Sequence, residues 1–278
     1  MIGGFRVLYR AAMDRDGKVN LSDIIRCRDA SGHYANIFSI AQLLDKSIMI
    51  GGWNGTLYHA TIDDNGNVNL SDRIECKDAD GKPAYITSIT QLSDDSIMVG
   101  GLEVLYRATI DEDGSVELSD RIDCEDANGS PANIFSIAQL LDDSIMIGGD
   151  NGALYRATMD KDGNVNLSDR IECKDANDNP ATIHSITQLS DKSIMIGGRD
   201  GTFYHATVDD NGNVNLSDRI ECKDANGELV SITSITQLSD DSIMVGGLEV
   251  LYRATIDQPT LSTLKQKINM IADKRAPK

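Results

Sequence analysis

The 26 residues ITSITQLSDDSIMVGGLEVLYRATID at positions 86–111 return without a changed letter at 232–257. A chain that copies itself so closely has to build its fold from copies of one supersecondary unit, each burying its apolar face against the next. The Gly-Gly pairs set the ruler: Gly3-Gly4, Gly51-Gly52, Gly100-Gly101, Gly148-Gly149, Gly197-Gly198 and Gly246-Gly247, always 48 or 49 residues apart. The second and third repeats together match the fifth and sixth, the pattern left by duplication.

Inside a repeat the period is two and the turns are frequent. In residues 86–125, ITSITQL is a first apolar segment (a) and SDDS turns it. SIMVG (b) is almost wholly apolar, the mark of a strand covered on both faces. A Gly-Gly step leads to VLYRATI (c), and DEDG offers a turn with Gly where a left-handed backbone is needed. The last segment (d) is clearest one repeat earlier, where Val68, Leu70, Ile74 and Cys76 alternate with Asn69, Ser71, Arg73 and Glu75. Half apolar and half polar describes an outer edge strand. No helical period appears before residue 258, and four short strands per 48–49 residues predict an all-β propeller blade.

Residues 193–208, SIMIGGRDGTFYHATV, carry a strand, a turn, a Gly-Gly step and a DGT turn before the third strand. In this the chain resembles WD40-type propeller repeats over about 250 residues, although their Gly-His and Trp-Asp pairs are absent and Trp53 is the only tryptophan. Its architecture is also similar to that of five-bladed propeller lectins. The resemblance implies a ring closed by an N-terminal outer strand. Segments b and c occur six times but a and d only five. The expectation is therefore five blades over 14–257, with the strand near Asn20–Cys27 completing the 232–257 blade and residues 1–13 left as a redundant b-c hairpin. The alternative is six blades with incomplete terminal ones. The redundant hairpin would also permit a dimer by strand exchange. Residues 258–278 place Leu261, Leu264, Ile268 and Ile271 at helical spacing with Lys265, Lys267 and Lys274 elsewhere, which predicts a basic amphipathic helix.

A net charge of −18 argues against nucleic acid as a partner, and no apolar run approaches the ~20 residues of a membrane span. The opening MIGGFRVLYR lacks the layout of a signal peptide, so a cytoplasmic location is expected. Cys27, Cys76, Cys124, Cys173 and Cys222 sit one per repeat, a spacing that reads as a buried thiol rather than a disulfide or a metal clip.

Candidate chemistry begins with the c-d turns. Asp14, Asp16 and Asp23 lie in DRDGKVNLSD, with equivalents Asp63, Asn65 and Asp72; Asp111, Asp113 and Asp120; Asp160, Asp162 and Asp169; and Asp209, Asn211 and Asp218. The run shares part of an EF-hand loop, which raises Ca²⁺ as a weak alternative. However, Ala12 or Thr fills the first ligand position, the last is Asp rather than Glu, and a hairpin turn explains the same residues without metal or other cofactor. His59 and His205 follow the repeat, aligned with Arg107, Arg156 and Arg253, and no nucleophile elbow, phosphate loop or HExxH is present. No enzyme is expected. Binding is favoured, because the b-c turns vary most: Trp53 and Asn54, Leu102 and Glu103, Asp150 and Asn151, Arg199 and Asp200. Beside them Asp29, Asp78, Asp126, Asp175 and Asp224 recur in the d-a crossings, either as an acidic ring or as caps of their own loops. The expected function is a non-catalytic scaffold meeting a protein partner through this rim, Trp53 foremost; carbohydrate binding with one site per blade is the alternative.

Overall fold

The computed structural model describes residues 1–224, 226–239, 242–247, 250–256 and 268–272. The chain is all-β: five four-stranded blades of a β-propeller, preceded by a segment of four short strands. That segment is β1 (Ile2–Gly4) paired with β2 (Val7–Tyr9), then β3 (Ala11–Met13) paired with β4 (Val19–Leu21). The first blade is β5 (Ile37–Gln42), β6 (Ile48–Gly52), β7 (Leu57–Ile62) and β8 (Val68–Leu70). The second is β9 (Ile86–Gln91), β10 (Ile97–Gly101), β11 (Val104–Ile110) and β12 (Val116–Leu118). The third is β13 (Ile134–Gln139), β14 (Ile145–Gly149), β15 (Leu154–Met159) and β16 (Val165–Leu167). β17 (Ile183–Gln188) to β20 (Val214–Leu216) make the fourth, with β18 (Ile194–Gly198) and β19 (Phe203–Val208) between them. β21 (Ile232–Gln237), β22 (Ile243–Gly247), β23 (Val250–Ile256) and β24 (Ile268–Ala272) make the fifth. The chain divides into two compact units, residues 1–125 with 129–139, and 126–128 with 140–278.

The strands take their places for the reasons visible in their patterns. The b strands β6, β10, β14 and β18 are buried at every residue, whereas the d strands β8, β12, β16 and β20 alternate between half-buried and exposed. The Gly-Gly pairs have two separate jobs. A Cβ on Gly51 would stand 2.4 Å from Ile86, and one on Gly100 would stand 2.8 Å from Ile134, so in these pairs the first glycine seats the inner strand of the following blade. A Cβ on Gly52 would lie 2.0 Å from the carbonyl oxygen of Asn36, and one on Gly101 closer still to that of Tyr85. The second glycine therefore accepts the backbone of its own blade where the inner strand bulges. The c-strand tyrosines tie the layers together, Tyr58 donating to the Arg28 carbonyl (2.8 Å) and Tyr204 to that of Lys174 (2.7 Å).

Two expectations about the ends are corrected. Residues 1–13 are not redundant: Leu8 is 1 % exposed and packs with Cys27, Ala35, Ile37, Ile48 and Ile50, while Gly3 fits against Ile37 and Ile40. The closing strand also differs. Val19–Leu21 pairs with Ala11–Met13, the cheap local pairing across a five-residue connection, and the outer place beside Val250–Ile256 is held by Ile268–Ala272. That strand replaces a helix over the described part of 258–278; the rest of the predicted helix lies outside the described residues. Among the described residues there is no helix.

At the a-b turns, Ser96 and Ser144 donate to Asp94 and Asp142 (2.6 and 2.5 Å), and the same carboxylates pair with Arg107 and Arg156 (3.1 and 2.9 Å). Burial opposes their charge, but the serine and arginine hydrogen bonds outweigh it and hold both carboxyls below 3.8. A depressed native value stabilises the fold above the unfolded value and is lost as pH falls through the native one. Thermal unfolding followed from pH 6 downward is expected to show a constant melting temperature that begins to drop near pH 4. The double variant Asp94→Asn, Asp142→Asn should flatten that drop.

Candidate functional site

The rim where b-c turns meet d-a crossings is built by short polar contacts. Asn54, Glu103, Asn151 and Asp200 all adopt positive φ, between 44° and 55°, so that each turn closes tightly. Their carbonyls and side chains then grip the adjoining crossing. Ala30, Ala127 and Ala176 donate to the carbonyls of Asn54, Asn151 and Asp200 (2.8, 2.8 and 3.0 Å), and Asn151 Nδ2 donates to Asp126 (2.5 Å). Leu102 donates its N–H to Tyr85, Glu103 to the Asn133 side chain, and the Asp150 carbonyl accepts from Ala153. Most of the variable rim residues thus hold the rim together.

The repeated aspartates cap their own loops. Asp29 accepts from the backbone of Ser31 and His33 (both 2.9 Å), Asp78 from Asp80 and Lys82, Asp126 from Asn128, Asp175 from Asn177 and Asn179, and Asp224 from Asn226 and Glu228. Asp175 is also buried. Asp175→Ala is expected to lower stability by about 1–3 kcal/mol in urea denaturation, the usual loss for hydrogen bonds to a charged group. The c-d turn aspartates behave alike: Asp14, Asp63, Asp160 and Asp209 each accept from two backbone N–H groups of their own turn. Among the described residues no group of three or more His, Cys, Asp or Glu could hold a metal. All five cysteines are buried and outside any disulfide, and desolvation pushes four of their thiols to about 12.

Where the repeats depart from each other, two sites stand out, one in each compact unit. In the first, Trp53 is 45 % exposed and half packed, 6.5 Å from Phe38 and 5.1 Å from Tyr85 between ring centroids. Beside it a cavity of about 420 Å³ is lined by Phe5, Arg6, Asp29, His33, Tyr34, Ala35, Asn36 and Trp53.

In the second unit the site is His184 with Arg199. The inner strand slips register between Ile183 and Ser185, which makes His184 the bulged residue opposite the Gly197-Gly198 step. A bulge re-aims a side chain away from the ladder. Arg199 begins the b-c turn, its N–H donating to the Thr182 carbonyl two residues before His184 (2.9 Å). Burial and the nearby Arg199 charge both lower the imidazole's pKa, so His184 is neutral at pH 7. At its repeat position the other blades have Phe38, Thr87, Phe135 and Thr233; at that of Arg199 they have Trp53, Leu102, Asp150 and Leu248. Sequence reasoning passed over His184 because it asked which histidines follow the repeat. The informative signal was the reverse, a residue that breaks its column at a bulge.

The Asp45–Ser47–His59 and Asp191–Ser193–His205 groups hold the residue types of a hydrolytic triad but the wrong relation. Each serine is buried and donates to its aspartate (2.6 Å), and the histidine position is arginine in other blades, so these groups serve the a-b turn.

No family model and no curated protein sequence matches the chain. Solved structures of similar fold do. A putative 6-phosphogluconolactonase from Bacteroides uniformis aligns with a TM-score of 0.71 at 11 % identity, over 95 % of this chain and 76 % of that one. The periplasmic gluconolactonase of Pseudomonas aeruginosa aligns at 0.64 and 11 %, over 96 % and 79 %. A catalytically inactive histidine-to-alanine variant of virginiamycin B lyase from Staphylococcus aureus, solved with quinupristin, aligns at 0.56 and 14 %, over 87 % and 71 %. At such identities the likeness is one of fold. It corrects two expectations nonetheless. The fold is a five-bladed propeller, and the solved structures it resembles here are named as lactonases and a lyase, not as WD40 proteins or lectins. The expected non-catalytic scaffold, with its lectin alternative, is not what these neighbours are, since their names are those of lactonases and of a lyase.

Proposed function

We propose that the chain is a propeller hydrolase that opens a lactone, with His184 as general base and Arg199 as the anion-stabilising cation. One observation carries this reading: a neutral, half-buried histidine at an inner-strand bulge beside an exposed arginine, both found in one blade only. The pairing suits acyl chemistry at neutral pH. A water molecule attacks the lactone carbonyl carbon while the His184 imidazole takes its proton. The charge that develops on the carbonyl oxygen pairs with the Arg199 guanidinium. The ring C–O bond then breaks, the imidazolium returns the proton to the leaving alkoxide, and a hydroxy acid is released. The lowered imidazole pKa matters because an imidazolium could not start this sequence. Two of the fold neighbours are named for gluconolactones, and a third loses activity with one histidine, which supports a histidine-dependent reaction on this scaffold.

The test is acid release from δ-gluconolactone and a panel of related sugar lactones, followed at constant pH against the spontaneous rate. Ring opening well above background supports the reading. Rates equal to background for the whole panel remove it.

A further inference from the structure

The cavity in the first unit is where that unit's departures from the repeat converge. Four columns change there. Arg26 stands where the other repeats have Glu75, Asp123, Glu172 and Glu221; Tyr34 where they have Pro83, Pro131, Pro180 and Leu229. Arg6 replaces Asn54, Glu103, Asn151 and Asp200, and Phe5 is an aromatic shared at that position only by Trp53. Three of these residues line the one 420 Å³ cavity and the fourth, Arg26, lies over the Tyr34 ring; in a chain whose strands are near-copies, that convergence marks a built site rather than drift.

Their chemistry specifies an occupant. Phe5, Tyr34 and Trp53 give the cavity three rings, all at least one-third exposed, so a flat ligand has faces to stack on. The guanidinium of Arg26 lies 4.7 Å and that of Arg28 5.1 Å from the Tyr34 ring centre, and that of Arg6 5.2 Å from the Phe5 ring. Three cations thus crowd one place in a chain of net charge −18. The single carboxylate among them, Asp29, is engaged by its own loop; burial opposes its charge, but hydrogen bonds from Asn54, His33 and Ser31 outweigh it and keep it ionised. At the cavity wall Asn36 Oδ1 is buried and meets no donor. Stacking faces, excess positive charge and one waiting acceptor are complementary to a planar anion with a hydrogen-bond donor at its far end.

We infer that this cavity binds a small aromatic carboxylate bearing a hydroxyl or N–H group. The ring stacks between Trp53, Tyr34 and Phe5, the carboxylate faces the Arg6 and Arg26 guanidiniums, and the donor meets Asn36 Oδ1. A cation is excluded by the three arginines, and a fully apolar ring would leave both the charge and the asparagine unanswered.

The probe is 4-hydroxybenzoate, titrated into the full chain with Trp53, the only tryptophan, as a built-in fluorophore. Saturable quenching at one ligand per chain is expected. 4-Hydroxybenzamide, the same shape without charge, should bind at least tenfold more weakly, and benzoate, lacking the donor, should also lose affinity. Arg26→Glu installs the residue of the sister repeats, and it should weaken 4-hydroxybenzoate by tenfold or more. Absence of saturation to millimolar concentrations, equal binding of the amide, or an unaffected Arg26→Glu variant each overturns the inference. The ligand comparison on the unaltered chain decides the matter even if that variant folds poorly. His184→Thr should leave this binding unchanged, so failure of the lactonase reading and failure of this one are separate results.

Discussion

Replacing Gly101 with alanine is expected to abolish the folded state or cost about 3 kcal/mol or more, above the ordinary range for overpacking. The new Cβ would fall almost on the carbonyl oxygen of Tyr85 and 2.8 Å from its carbon, and both are backbone atoms of a bulged inner strand. A side chain in the way can rotate; a carbonyl can move only with its strand. Moving it would break the hydrogen bond that Leu102 makes to the same oxygen (2.9 Å). Gly100→Ala should be costly by a different route, since its Cβ would enter the side chains of Ile134 and Ile137, at 2.8 and 2.9 Å. The control is Gly246→Ala. It occupies the same repeat position, yet the nearest atom to its Cβ is 3.8 Å away. Urea denaturation of the three variants should place Gly246→Ala within about 1 kcal/mol of the parent and the other two far below it. Equal losses in all three would show that glycine is required by strand conformation rather than by these close approaches.

That comparison also marks how far the sequence could be read. The Gly-Gly ruler, the four-strand order and the blade count follow from period and turn residues, because burial on both faces of Ile97–Gly101 and on one face of Val116–Leu118 leaves different patterns in the letters. The ends were less legible. A local rule places Leu261, Leu264, Ile268 and Ile271 on a helix, but an outer strand at Ile268–Ala272 is selected by the empty edge of Val250–Ile256, a fact of tertiary structure that no local window contains. The spare status of residues 1–13 failed for a similar reason: whether Leu8 is buried depends on Ile37 and Ile50, which lie most of a repeat away in the chain.

The sites were legible in principle but by subtraction. Variation at the rim was visible, and Trp53 does border a cavity, yet most of the varying residues, Asn54, Asn151 and Asp200 among them, vary while still closing turns. What separates Arg26, Tyr34 and His184 from them is that each replaces a residue type that the remaining repeats agree on, or that suits a bulge, with one of different chemistry. That difference acquires meaning only when topology brings Arg26 to Tyr34 and Arg199 to the strand of His184.

His184→Thr is expected to lower kcat/KM for the opened lactone by about 10²–10⁴-fold, the range for loss of a positioned general base. Threonine is what Thr87 and Thr233 supply at this bulge in other blades, so the fold should keep its melting temperature. The pH profile distinguishes a base from a merely structural histidine. The imidazole is held below the ordinary histidine value by burial and by Arg199, and it works only when deprotonated. Activity should therefore be full at neutral pH and fall with one proton's slope below pH 6.5. Arg199→Gln removes the cation that lowers the imidazole, and the acid limb should move to higher pH while kcat drops through loss of oxyanion pairing. A limb that stays in place in Arg199→Gln would mean that burial alone sets the imidazole. A His184→Thr variant with undiminished turnover would take the catalytic role away from this blade altogether.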